Sequence, residues 1–270
     1  MNYNFIYKEL LNEYKTLSNE KLALEEYIKK NRKILEDIYF APKKIKQDEI
    51  NEKINNEEYI HIIKKTICNI NKIDLESDLK SIIEELGNNL SYRDIDEEIY
   101  IIIGLNTTTI YSTKYQNKTV TVILLESTFG IIENIKMLFA HEYTHWIRSR
   151  EIRHDIFETC IGERFITEGI ACNFSEEIVP NRKESYYCIV NEDTIQWVKR
   201  HMNLIDDTIK NNLNEKEYMY DFFYMFAKPK INGMPVRTGY TYGYLKVKEY
   251  LEKNNLKVKD IITIDWKEIL

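Results

Sequence analysis

The sequence predicts an α+β chain that is mainly α, with a small β-sheet behind a helical N-terminal region. Three observations carry this expectation: long stretches whose apolar residues recur every three or four positions, two short β-branched runs in mid-chain, and amphipathic segments after them. The chain has 270 residues, enough for one large or two modest domains with a real core. We divide it into a helical region over 1–90 and a second domain over 91–270.

Within residues 1–40, Phe5, Leu10, Leu11, Tyr14, Leu17, Leu22, Leu24, Tyr27 and Ile28 follow a helical spacing, and Pro42 breaks it. A second helical stretch over 43–90 is expected to stop near Gly87-Asn88-Asn89. Its charges read as solvated faces. "IYIIIGL" (99–105) and "VTVILLE" (120–126) are buried strands by their β-branched, apolar content. Between them "TTTIYSTKYQNKT" (107–119) has the residues of a hairpin or a long loop. A long helix over 129–150 follows, then helices over 156–177, 191–226 and 240–254. Pro180 starts a loop, and "KPKINGMPVRTG" (228–239) is a structured loop holding two of the four prolines and two of the eight glycines.

The composition, 43% apolar and 30% charged, is that of a soluble globular protein. A net charge of -6 argues against nucleic acid as a partner, because phosphate binding needs a cationic surface. No run reaches the ~18 apolar residues of a membrane span, so no membrane association is expected. The N-terminus lacks the apolar run of a signal peptide. Four cysteines without a CxxC pair read as reduced thiols, which makes the expected compartment cytoplasmic. The sequence sets no oligomeric state.

The chemistry concentrates in "LFAHEYTHWIRSR" (138–150). Positions four apart lie within about 40° on a helix, so His141 and His145 can offer two imidazole nitrogens to one ion. Glu142 sits beside them, able to reach a metal-held water without ligating the metal. Two surface histidines around an ordinary glutamate would leave the same string. Here, however, the histidines fall inside the apolar pattern Ile131, Ile135, Leu138, Phe139, Trp146, Ile147, where unpaired polar groups are costly. A strand just before the helix also matches a zincin-like layout.

A catalytic zinc takes three protein ligands and keeps one position open. Glu151 stands six past His145, but a third ligand there needs a glycine at 148, and the chain has Arg148. His154 would require the helix to break at once. Glu168 in "RFITEGIA" is the better third ligand: it shares a stripe with Ile161, Phe165 and Cys172, and Gly169 allows close helix approach. His141, His145 and Glu168 then form a gluzincin ligand set. Zinc lowers the pKa of water to about 7, and Glu142 is the expected general base. An oxyanion needs one further donor, for which Tyr240, Tyr242, Tyr244, Arg237 and His201 are candidates; Tyr240 is chosen.

"LFAHEYTHWIR", "ITEGIA" and "RTGYTYGYLKVKEYL", in that order, resemble a bacterial family of predicted zinc-dependent proteases, the YjaZ-like group. The resemblance covers roughly 99–254 and implies His141, His145 and Glu168 as ligands, Glu142 as base and a role for Tyr240. The leading expectation is therefore a cytoplasmic zinc metallopeptidase, a hydrolase of peptide or protein substrates. An extended substrate would add along strand 120–126. The alternatives are a non-catalytic zinc-stabilised binding or regulatory module, with four protein ligands and a replaceable Glu142, and an amidase acting on non-peptide substrates.

Overall fold

The computed structural model describes residues 1–92, 96–105, 110–125, 132–152, 159–216 and 233–270. Its elements in chain order are β1 (Asn2–Asn4), α1 (Tyr7–Leu17), α2 (Glu20–Lys30), α3 (Arg32–Leu35) running into a π-helical turn (Glu36–Phe40), α4 (Gln47–Asn55), α5 (Glu57–Ile70), α6 (Leu75–Leu90), β2 (Glu98–Ile103), β3 (Ile110–Tyr115), β4 (Lys118–Leu125), α7 (Ile132–Glu151), α8 (Ile161–Ile178), α9 (Glu184–Cys188), α10 (Glu192–Ile209), α11 (Thr238–Asn254), α12 (Val258–Ile261) and a 3-10 turn (Trp266–Glu268). The architecture is α+β and mainly α, with one four-stranded mixed sheet. Two compact units result: Met1–Ile82 with Asp94–Ile135, and Ile83–Arg93 with Lys136–Leu270. This division differs from the expected boundary after residue 90, because it groups the strands with the N-terminal helices.

In the first unit the sheet order is β1-β2-β4-β3. β2 and β4 run parallel and are apolar along almost their whole length because both faces are covered. β3 returns antiparallel to β4 through a two-residue turn at Gln116-Asn117, both with positive φ, the twist that tight hairpins favour. Of the hairpin and the long loop, the chain forms the hairpin. β4 is paired on both sides, so the expectation that an extended substrate adds along it is overturned: its backbone groups are already used. The strand β1 is also a correction, since residues 1–40 read as helical throughout. Three residues suffice here because β2 supplies the partner, with Asn2 to Asn4 opposite Glu98 to Tyr100.

Tyrosines explain why helices and sheet form one unit. Where the β2 ladder ends, Ile103 N–H donates to the Tyr27 hydroxyl at 3.2 Å and Leu105 N–H to the Tyr39 hydroxyl at 2.8 Å. The Tyr59 hydroxyl donates to the Gly104 carbonyl between them. Three successive backbone groups are thus satisfied by side chains of α2, the π-helical turn and α5.

α6 passes through Gly87-Asn88-Asn89, where a stop was expected, and ends at Leu90. Leu86 and Leu90, one turn apart, are both buried, and that burial outweighs glycine's poor helix propensity. The left-handed residue that ends the helix is Ser91. Expectations for 126–131, 153–158 and 217–232 lie outside the described residues; these include Ile131, His154 and parts of the 191–226 helix and 228–239 loop.

In the second unit α8 is buried on every side from Ile161 to Ser175, with Arg164 half-buried as the exception. A helix with no solvent face must be packed all round. α11 crosses it at Gly169 and Gly243, so closely that a Cβ on Gly169 would overlap the Gly243 carbonyl and one on Gly243 the Phe165 carbonyl oxygen. Further along α8, the Trp266 ring lies where a side chain on Gly162 would stand. Gly243→Ala should therefore lower stability by at least about 2 kcal/mol, since backbone cannot yield as a side-chain tip can. Urea unfolding measures it, and a wild-type midpoint in that variant would contradict the close crossing.

Candidate metal centre

α7 presents its histidines because its buried face is built from Phe139, Ala140, Tyr143, Trp146 and Ile147, which bracket them on the helix surface. His141 and His145 lie one turn apart, with ring centroids 4.8 Å apart and planes crossing at 78°. Across from them, Glu168 of α8 places Oε2 3.1 Å from His141 Nε2 and 3.6 Å from His145 Nε2. The three potential ligand atoms lie within 4.8 Å of one another. His141 is 7% and Glu168 2% exposed, so solvent does little for either charge.

The other carboxylate oxygen, Oε1, takes Arg164 Nη2 at 3.0 Å, from one turn earlier on α8. Burial alone would raise the Glu168 pKa, but Arg164, then His145 and His141, outweigh it and hold the carboxyl well below the usual range. For His141 burial opposes the charge, yet contacts with Cys172 and Glu168 prevail and its pKa rises to about 9. His145 is raised as well: burial works against it, and Glu168 followed by Glu142 more than compensates.

The donor set fits zinc. A tetrahedral ion with bonds of ~2.0–2.1 Å separates adjacent donors by about 3.4 Å, close to the two histidine–carboxylate spacings. Two imidazoles and one carboxylate also match the ion's borderline character. Among the described residues three donors converge.

The remaining expected residues divide clearly. Glu142 is half-buried, and its charge is felt at His145. Tyr240 of α11 belongs to the same surroundings: burial, then the Glu168 charge, pushes its phenol up to about 12, and the Arg237 guanidinium lies 4.0 Å over its ring. Tyr242 instead donates to Asp206 at 2.6 Å, and Tyr244 to Glu176 at 2.6 Å. His201 stacks on Trp197 and donates Nδ1–H to that residue's carbonyl at 2.7 Å. Glu151 is exposed and pairs with Arg150 at 2.9 Å, so it is not part of the donor set.

A model of the family described as "Predicted Zn-dependent protease (DUF2268)" matches residues 79–270, which include all three donors, Glu142 and Tyr240. The chain belongs to that family. Among curated proteins it is similar to YjfC of Bacillus subtilis (strain 168), an uncharacterized protein, at 24% identity over 150 residues. That match covers 52% of the chain and 47% of YjfC, so the chain spans about half the length of this relative. No solved structure matches.

The contacts of three residues of this predicted Zn-dependent protease went unread in its sequence. Arg164 and Cys172 stand four before and four after Glu168 on α8, a spacing that could have signalled contact. Cys172 Sγ lies 4.0 Å from His141 Nδ1. Arg148 is 1% exposed and binds Glu163 through Nη2 at 2.6 Å, Thr167 through Nε at 3.1 Å and the Ile262 carbonyl through Nη1 at 2.9 Å. Its residue type had suggested only the lack of a glycine.

We expect one zinc per chain, lost in Glu168→Ala and kept in Glu151→Ala, as read by metal analysis of purified protein. Because protonated imidazoles must give up their protons to bind metal, uptake at pH 7 should release about one proton or more. With His141 titrating near 9, apparent affinity should keep rising through the neutral range. Calorimetry in buffers of different ionisation enthalpy counts those protons. Zinc retained without Glu168, or bound with no proton release, would contradict this site.

Proposed function

We propose that the chain is a zinc-dependent metallopeptidase of the gluzincin type, acting on peptide or protein substrates. The observation that carries the reading is the convergence of two imidazoles and one ionised carboxylate from two helices, beside a carboxylate that remains partly open to solvent. His141, His145 and Glu168 would hold the ion. Zinc bound there would act as a Lewis acid and bring the pKa of a water to about 7.

Glu142 takes the proton from the attacking water and delivers it to the leaving amine. Its place on α7 suits this, next to His141 and partly exposed to solvent. Arg164 holds Glu168 ionised and fixes its second oxygen, so that the first is free for the ion. Tyr240 donates its phenolic proton to the developing oxyanion, and a phenol pushed up to about 12 stays protonated for that purpose. Tyr242 and Tyr244 are less suited, as both hydroxyls already donate to carboxylates. The count of three donors among the described residues favours an enzyme over a zinc-stabilised module, which would fill the fourth position with protein.

Glu142→Gln should keep zinc content and melting temperature close to wild type while turnover of a peptide library falls about 10²–10⁴-fold. Tyr240→Phe should lose roughly 10–10³-fold. Full activity in Glu142→Gln would sink the mechanism, and an inactive wild-type protein that still binds zinc would favour the binding module.

We place the enzyme in a reducing, cytoplasmic setting, on the strength of four cysteines without paired spacing. Thiol titration of protein denatured without reductant should then find four free thiols, and a count of two or none would refute that setting.

A further inference from the structure

The two ring nitrogens of His141 have different surroundings. Nε2 faces Glu168 Oε2 at 3.1 Å, on the side where the donors converge. Nδ1 faces Cys172 Sγ at 4.0 Å. Among the described residues this sulfur is the polar contact of Nδ1, and both side chains are buried, His141 at 7% and Cys172 at 0% exposure. Cys172 follows Glu168 by one helical turn, so one face of α8 offers the carboxylate and the thiol to the same imidazole.

We propose that Cys172 is the positioning residue for His141: its sulfur accepts the Nδ1–H hydrogen bond and thereby turns Nε2, unprotonated, toward the metal. The inference rests on the metal-centre reading above. An imidazole that binds metal through Nε2 is neutral and carries its proton on Nδ1. That N–H, buried away from water, needs an acceptor, and without one the ring loses both its tautomer and its orientation. Sulfur is a weak acceptor with a large radius, which suits the 4.0 Å contact.

Cys188 supports the arrangement from α9. It is also fully buried and shares the apolar cluster of Met137, Val179, Tyr187 and Tyr244 with Cys172.

The test compares zinc dissociation constants, by competition with a chromophoric chelator, for wild type, Cys172→Val, Cys172→Ser and Val179→Ala. Valine keeps the volume and removes the acceptor. Serine keeps an acceptor. Val179→Ala removes packing from the same cluster and no hydrogen-bond partner. We expect Cys172→Val to bind zinc roughly 10–100-fold more weakly, Cys172→Ser to recover most of that loss, and Val179→Ala to match wild type. Wild-type affinity in Cys172→Val, or an equal loss in Val179→Ala, overturns the assignment. A wild-type protein that takes up no zinc overturns the metal centre itself, and the two failures are thereby distinguished. Should Cys172→Val not fold, Cys172→Ala against Cys172→Ser decides in the same competition: weaker zinc binding in the alanine variant alone upholds the proposal, and equal binding in the two overturns it.

Discussion

A buried negative charge governs the second unit of this protein. Glu168 is 2% exposed on a helix that has no solvent face, and its carboxyl is held ionised. Removing such a charge from water costs several kcal/mol unless hydrogen bonds and opposite charges replace the solvent. Arg164 supplies one partner from the same helix, and the imidazoles of α7 supply the others. The rotation of α7 about its axis is thereby constrained, since only one face can bring both histidines to a single carboxylate oxygen. A divalent ion between these groups would relieve the same cost more completely.

A second buried pair works on the same two helices. Arg148 stands seven residues after His141, two turns on and within about 20° of it around the helix. Its guanidinium meets Glu163, which lies five residues before Glu168. Leaving either partner of such a pair alone costs about 3–5 kcal/mol. Because Arg148 and His141 share a face, the pair locks α7 at the rotation that the histidines require. Thr167 links the two acids' surroundings: its hydroxyl donates to Glu163 at 2.8 Å and accepts from Arg148 Nε. The geometry of the centre is therefore held from two turns away by groups that never touch it.

The donor set was legible in the sequence because its signal is local. His141, Glu142 and His145 fall within five positions, and the helical period converts that spacing into shared geometry. Glu168 was legible for a related reason, as an acid inside an apolar pattern. The sheet was legible in part: two apolar runs gave β2 and β4, whereas β1 was missed because three residues at the chain start carry no periodicity, only a partner 96 positions away at Glu98. Of the tyrosines of "RTGYTYGY", the choice of Tyr240 rested on no signal that set it apart from its neighbours. Tyr240, Tyr242 and Tyr244 alternate around α11, and their roles depend on Asp206 and Glu176, acids on other segments. Arg148 was invisible as a core residue because its partners come from two other stretches of chain, α8 and residues 262–264.

The acceptors of Arg148 have a consequence in time. The Ile262 carbonyl lies 114 residues further along the chain. At a synthesis rate of 5–20 residues per second, the ribosome adds that stretch in roughly 6–23 s. Throughout that interval the guanidinium lacks carbonyls it will later bind, while α7 and α8 already exist as chain. The nascent chain therefore carries His141, Glu142, His145 and Glu168 well before Arg148 can gain its Ile262 acceptor.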